Sequence, residues 1–196
     1  MRIATFDAGW RVYCRRCLHG LVASALLASA NAFAQEKSPV RSFDVVQNDD
    51  VYVATVVMFA PVAPGIAWSV LTDFENMQKW VPNVRESKVA ARDGNTVTVE
   101  QKGVAKFGLL SFPYESARRM QLDPQISIQS TQVSGSMRRL VSLMKVSPDG
   151  AGTRLDYKLE IEPAGVAAAV MSKKFLQHEL TEQFTAIVGE MVKRGK

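Results

Sequence analysis

Apolar and polar positions along this chain switch between a period of two and a period near 3.6, and the switches mark out its elements. Phe43-Asp-Val-Val46, the turn-forming Gln47-Asn-Asp-Asp50 and the apolar-rich run 51–59 predict a hairpin. The period then lengthens. Pro64 suits the first turn of a helix, where a missing N–H costs nothing, and Ile66, Ala67, Val70 and Leu71 recur at helical spacing until Asp73. Phe74, Met77 and Val81 predict a second short helix that Pro82 stops. Alternation returns in 85–91 and 96–103, joined at the turn signal Asp93-Gly94-Asn95. A longer strand over 107–120 carries Pro113, the mark of an edge or a bulge, and strands over 126–133 and 138–146 follow, linked through Gly135. The cleanest strand comes after Pro148-Asp-Gly-Ala-Gly152. There Leu155, Tyr157, Leu159 and Ile161 alternate with Arg154, Asp156, Lys158, Glu160 and Glu162, giving one buried and one wet face. Pro163 and Gly165 end the sheet, and 166–193 reads as one helix with Val166, Val170, Leu176, Leu180, Phe184, Ile187 and Met191 on one stripe. Such a helix is roughly 40 Å long, enough to cross a whole sheet. The pattern predicts an α+β fold: a curved antiparallel β-sheet wrapped round a long C-terminal helix, with two short helices after the first main strand.

Strand, two short helices, then more strands is an unusual order. The Ala-Pro before the first helix, Trp68-Ser-Val-Leu-Thr-Asp73 and Trp80-Val-Pro-Asn-Val84 resemble the opening of the START-like, helix-grip (SRPBCC) superfamily. More narrowly they resemble its polyketide cyclase/dehydrase and coenzyme Q-binding START group. The resemblance covers residues 51–194 and implies a space between sheet and helix that holds an apolar ligand. It is specific for fold and weak for function, because that superfamily carries binders, transporters and enzymes on one scaffold. Geometry alone leaves a second outcome open, in which the same residues pack solidly.

The N-terminus does not belong to this pattern. Arg2, Arg11, Arg15 and Arg16 precede a small-residue apolar run over 18–30, and Ala32-Phe33-Ala34 supplies a cleavage signal, so residues 1–34 read as a secretory signal peptide. Residues 35–42 then form a polar leader and 43–196 the folded domain, large enough for one core. Removing the signal changes the chemistry. Cys14 and Cys17, spaced like a redox or metal motif, leave with it, as does His19, so the mature chain keeps His178 and no cysteine. Of 24 basic and 19 acidic residues, 20 and 18 remain, a net charge of +2 instead of +5. The basic character of the whole chain is therefore no sign of nucleic-acid binding. The paired basics Arg118-Arg119, Arg138-Arg139 and Lys173-Lys174 are not interleaved with aromatics, and read as solvated strand and helix positions.

Conventional catalytic chemistry has little to work with. His178 falls on the solvent side of the helix beside Glu179 and Glu182, which disfavours a histidine-based metal or nucleophile site; Asp73, Glu100 and Glu115 show no acid/base spacing. No metal or cofactor is expected. Lys173 and Gln177 fall inside the apolar stripe, where each needs a partner or a ligand unless the helix starts beyond the sheet rim. Phe175 and Met171 point away from it and predict an exposed apolar spot for a membrane, a partner or the short helices. Tyr114 and Arg118 share one strand parity, and Leu140, Ser142 and Met144 share another. If both face inward, the lining is apolar with one phenol and one guanidinium, suited to an amphipathic ligand. Trp80, which the resemblance puts at the lip of the cavity, is either its lid or an anchor for the helix pair. The candidate ligand-binding set is Trp80, Tyr114, Arg118, Leu140, Met144, Tyr157, Val170, Lys173 and Gln177.

Three functions stay in play: a periplasmic, non-enzymatic carrier of a small hydrophobic molecule (lipid, quinone or polyketide-like), a cyclase- or dehydratase-like enzyme, and a ligand-free interaction module at the envelope. A smooth apolar cavity favours the first, a polar-studded cavity with a buried carboxylate the second, and a filled core the third. The carrier would make at most transient membrane contact. N-terminal sequencing of the exported protein should start at Gln35 or an adjacent residue; an intact Met1 on a soluble cytoplasmic protein would overturn the export reading and restore Cys14 and Cys17 to the chemistry.

Overall fold

A computed structural model describes residues 38–108 and 110–196. Residues 1–37, which hold the expected signal peptide and the first three residues of the leader, lie outside these. Eight strands form one antiparallel sheet: β1 (Val40–Asn48), β2 (Val51–Ala60), β3 (Val84–Asp93), β4 (Thr96–Phe107), β5 (Leu110–Asp123), β6 (Ser127–Gly135), β7 (Met137–Asp149) and β8 (Gly152–Pro163). They lie in the order β1-β2-β8-β7-β6-β5-β4-β3, so the last strand closes beside the second and the others follow as a meander. β1 begins at Val40, ahead of the expected Phe43. α1 (Pro64–Leu71) opens on Pro64 as its residue type dictates, and a 3₁₀ helix (Phe74–Lys79) follows Asp73, whose carboxylate accepts from Asn76 Nδ2 at 2.7 Å. This second element is tighter than an α-helix, as short connectors often are. Pro113 also finds its place: β6 pairs with β5 only from Ser116 onward, so the start of β5 is a local edge where a missing N–H breaks no ladder on that side.

The alternation in β8 has the expected outcome. Leu155, Leu159 and Ile161 are buried, Tyr157 is partly so, and its ring meets Phe184 edge-on at 4.9 Å. Ala54, Val56 and Met58 of β2 and Val97 and Val99 of β4 complete the apolar floor. Each of the Val, Leu, Ile and Met side chains contributes about 1.5–3 kcal/mol through burial.

The C-terminal helix departs from expectation. It is broken into α2 (Val166–Val170) and α3 (Lys173–Arg194), with Met171 and Ser172 extended between them. Ser172 is the N-cap of α3, its Oγ accepting from Phe175 N at 3.1 Å, and Tyr52 Oη donates to Met171 O at 3.2 Å across the break. Both bonds satisfy backbone groups that the interrupted helix leaves unpaired. The stripe holds in part, with Leu176, Leu180, Phe184 and Met191 buried as expected. On α3 the buried face is Phe175, Leu176, Glu179, Leu180, Phe184, Val188 and Met191, while Val166 is 70% exposed. Lys173 and Gln177, expected on the buried stripe, are exposed, and Phe175, expected outside it, is buried.

Leu155→Ala should cost about 2–5 kcal/mol of stability in chemical denaturation, the range for an unrelaxed core truncation. A loss below about 0.5 kcal/mol would mean that this parity of β8 does not face the core.

Candidate functional site

The curvature of the sheet leaves α3 standing clear of part of the floor. A cavity of about 240 Å³ lies there, walled by Phe74, Val84, Met120, Ile128, Leu140 and Met144 with Leu180, Phe184 and Ile187 of α3 above. Its floor is not smoothly apolar. A polar band crosses neighbouring strands: Ser87 on β3, Gln101 on β4, Arg118 on β5, Ser130 and Gln132 on β6, Ser142 on β7 and Tyr157 on β8. Register sets it, because Arg118 stands opposite Gln132 and Ser130 opposite Ser142. Arg118 donates through an Nη to Gln101 Oε1; Gln101 Nε2 donates to Ser87 Oγ at 3.0 Å, and Ser87 Oγ donates to Phe74 O at 2.6 Å. At the other end Tyr157 is hydrogen-bonded to Ser142. Burial pushes the Tyr157 phenol up and pulls the Arg118 guanidinium down from their ordinary values. Arg118 Nε, Ser130 Oγ and Gln132 Oε1 are buried without a partner among the described residues.

A second cavity, about 530 Å³, adjoins the first between the start of β5, α2 and the N-terminal turns of α3. Tyr114, Met137, Ile161 and Gln183 line both spaces. Val170, Met171, Phe112 and Phe175 make its wall apolar. Glu179 also faces it. This carboxylate is 5% exposed, and both oxygens are occupied: Oε2 accepts from Asn83 Nδ2 at 2.8 Å and Oε1 from the backbone N–H of Lys106 at 3.0 Å. Asn83 O in turn accepts from Val104 N at 2.9 Å and from Tyr114 Oη at 3.2 Å. The junction works because residue 103 is glycine. A Cβ there would stand 2.0 Å from Asn83 O and 2.6 Å from the Tyr114 ring.

Of the residues singled out in the sequence, Arg118, Leu140, Met144 and Tyr157 line the inner cavity, Val170 the outer one and Tyr114 both. Trp80, Lys173 and Gln177 line neither. Trp80 packs against the core at the end of the 3₁₀ helix, which makes it an anchor and not a lid. Lys173 and Gln177, in the first turns of α3, are exposed. Glu179 and Asn83 carry the site's central junction and are absent from the candidate set. A helical wheel phased on an unbroken helix puts Glu179 on the solvent side with His178, which hides it. His178 does face outward, its Nε2 lying 3.6 Å from Glu182 Oε1. His178, Glu179 and Glu182 bring possible metal-ligand atoms within 4.8 Å of one another, but Glu179 spends both oxygens inward.

Burial pushes the Tyr114 phenol up from 10.0 to about 12. A raised folded-state value means that Tyr114 stabilises fully below pH 10.0 and that this share is lost as pH rises towards about 12. Denaturation midpoints measured across that window should fall, and the fall should be shallower in Tyr114→Phe. An identical slope in both proteins would place Tyr114 in water.

Solved structures share this architecture at low sequence identity. TTHA0849 from Thermus thermophilus superposes with a TM-score of 0.65 and 16% identity, over 74% of this chain and 99% of that one. The Zhui aromatase/cyclase from Streptomyces sp. R1128 does so with a TM-score of 0.64 and 13% identity, over 74% and 96%. A STAR-related lipid transfer protein from Xanthomonas axonopodis follows, at 0.60 and 11%, over 76% and 98%. Identities this low show the fold alone. No curated protein matches the sequence. The sequence model of the polyketide cyclase/dehydrase and lipid transport family matches residues 51–192, from the start of β2 to the last turn of α3, and the chain therefore belongs to that family.

Proposed function

We propose that this protein is a periplasmic carrier that binds one small amphipathic molecule, apolar over most of its length, without transforming it. The observation that carries the reading is the pair of adjoining cavities between sheet and helix. Together they offer space within the roughly 300–1,000 Å³ of small-molecule sites, with mostly apolar walls and few polar groups. Burial of ligand surface, worth about 25 cal/mol per Å² before ordering costs, supplies the affinity. A lipid, an isoprenoid quinone or a polyketide-like aromatic has the required shape. The signal-like segment ending at Ala34 supports export. Membership in a family whose description spans cyclases and lipid transport agrees with a hydrophobic ligand.

The cyclase or dehydratase reading comes second, and two observations favour it: the polar band of the inner cavity and the buried carboxylate of Glu179. Against it, both Glu179 oxygens already accept protein hydrogen bonds, so a base facing a substrate carbon would first have to leave Asn83 and Lys106. The interaction-module reading loses the surface that motivated it, since Phe175 is buried.

Uptake of the neutral dye N-phenyl-1-naphthylamine should raise its fluorescence with the wild-type protein. Val170→Trp, which fills the outer cavity, should reduce that uptake at least severalfold with circular dichroism unchanged. Native mass spectrometry of the exported protein should show a co-purified small molecule. Unchanged dye uptake in Val170→Trp would remove the basis of the carrier reading, and conversion of a polyketide-like substrate, lost in Glu179→Gln, would put the enzyme first.

A further inference from the structure

We infer that the ligand of the inner cavity carries a carboxylate, held by Arg118 with its apolar body extending past Tyr114 into the outer cavity. The inference rests on the carrier reading and adds the head-group chemistry. Arg118 is a cation on the floor of a largely apolar space, and no described carboxylate forms an ion pair with it. Glu115, a near neighbour in sequence, is exposed and unpaired with it; Glu179 is committed to Asn83 and Lys106. Among the described residues the guanidinium has one hydrogen bond, to the neutral Gln101, and its buried Nε has no acceptor. An arginine stays charged in such a place, and a buried charge lacking an opposite charge is costly. A ligand that brings a negative charge removes this cost on binding.

The geometry selects the kind of anion. One guanidinium answers one negative charge, and its planar fork matches a planar carboxylate with two parallel bonds. Ser130 Oγ, also buried and unpartnered, lies on the same cavity and can donate to a carboxylate oxygen. Ser130 and Gln132 come from the strand paired with β5, with Gln132 directly opposite Arg118, so the open groups face one region of the floor. From there the walls are Met120, Ile128, Met144 and Leu140, then the shared Met137 and Ile161. That is a polar end followed by an apolar channel.

Displacement of N-phenyl-1-naphthylamine by dodecanoate, dodecanol and dodecylamine tests this directly, since the three differ only in the head. Dodecanoate should bind at least about tenfold more tightly than dodecanol, and dodecylamine more weakly than both. In Arg118→Met the ratio of acid to alcohol should fall to about one, and Arg118→Lys should restore part of it. The thermal midpoint of ligand-free Arg118→Met should equal or exceed that of the wild type, because an uncompensated buried charge has been removed. Equal binding of acid and alcohol by the wild type, or an acid preference that survives Arg118→Met, would overturn the head-group assignment and leave the carrier standing. A lowered midpoint with the preference intact would make Arg118 a structural partner of Gln101. Failure of the wild type to take up the dye at all would remove both proposals.

Discussion

The spacing between helix and sheet hangs on a buried carboxylate that forms no ion pair among the described residues. Glu179 accepts from the Asn83 side chain, just before β3, and from the Lys106 backbone, on β4, and so draws the N-terminal half of α3 toward that side of the sheet. Charge-assisted bonds of this kind contribute about 1.5–3 kcal/mol each, and losing one would leave a buried ion unsatisfied. Asn83 extends the junction: its carbonyl takes the Val104 N–H and the Tyr114 hydroxyl. Four segments therefore meet at one point, and the absent side chain of Gly103 makes the meeting possible. Tyr114, held there, stands between the two cavities.

Two polar clusters sit in this interior and are satisfied to different degrees. At the Glu179 junction the charge has a donor for each oxygen, and the result is a rigid attachment. Along the polar band Arg118, Ser130 and Gln132 each keep an atom without a partner. Buried polar groups are hydrogen-bonded almost everywhere in proteins, so the exceptions are informative. Three of the five such atoms among the described residues lie in this band; the other two are Asn83 Oδ1, at the junction, and Trp80 Nε1. Stability alone would favour apolar residues of similar size at these positions. The band is better understood as chemistry kept ready for a guest than as scaffolding.

The break at Met171–Ser172 has a consequence for the same space. A continuous helix would have laid Val166 and Val170 over the sheet in phase with Leu180 and Phe184. With the break, α2 turns aside to wall the outer cavity and α3 alone covers the floor. The bond from Tyr52, on the buried face of β2, to Met171 O ties the break to the sheet.

The strands were legible from the sequence because a half-buried strand must alternate, and the Leu155–Tyr157–Leu159–Ile161 parity could be assigned without coordinates. The short helices were legible from Pro64, Asp73 and Pro82, which act on the backbone locally. The inward set Tyr114, Arg118, Leu140, Met144 and Tyr157 followed from the same parity. The phase of α3 was legible in part: Leu176, Leu180, Phe184 and Met191 lie on its buried face as their spacing predicts. The break was not, because Ser172 reads equally well as a tolerated helical residue or as a cap until the Phe175 N–H is seen to bond to it. Nor was the reach of the buried face, which takes in Phe175 and Glu179 and leaves Lys173 and Gln177 exposed. Whether a void exists, which polar atoms inside it lack partners and where Glu179 finds its donors depend on residues far apart in the chain. Local periodicity carries no information about such distances, so these features were decided by the tertiary structure alone.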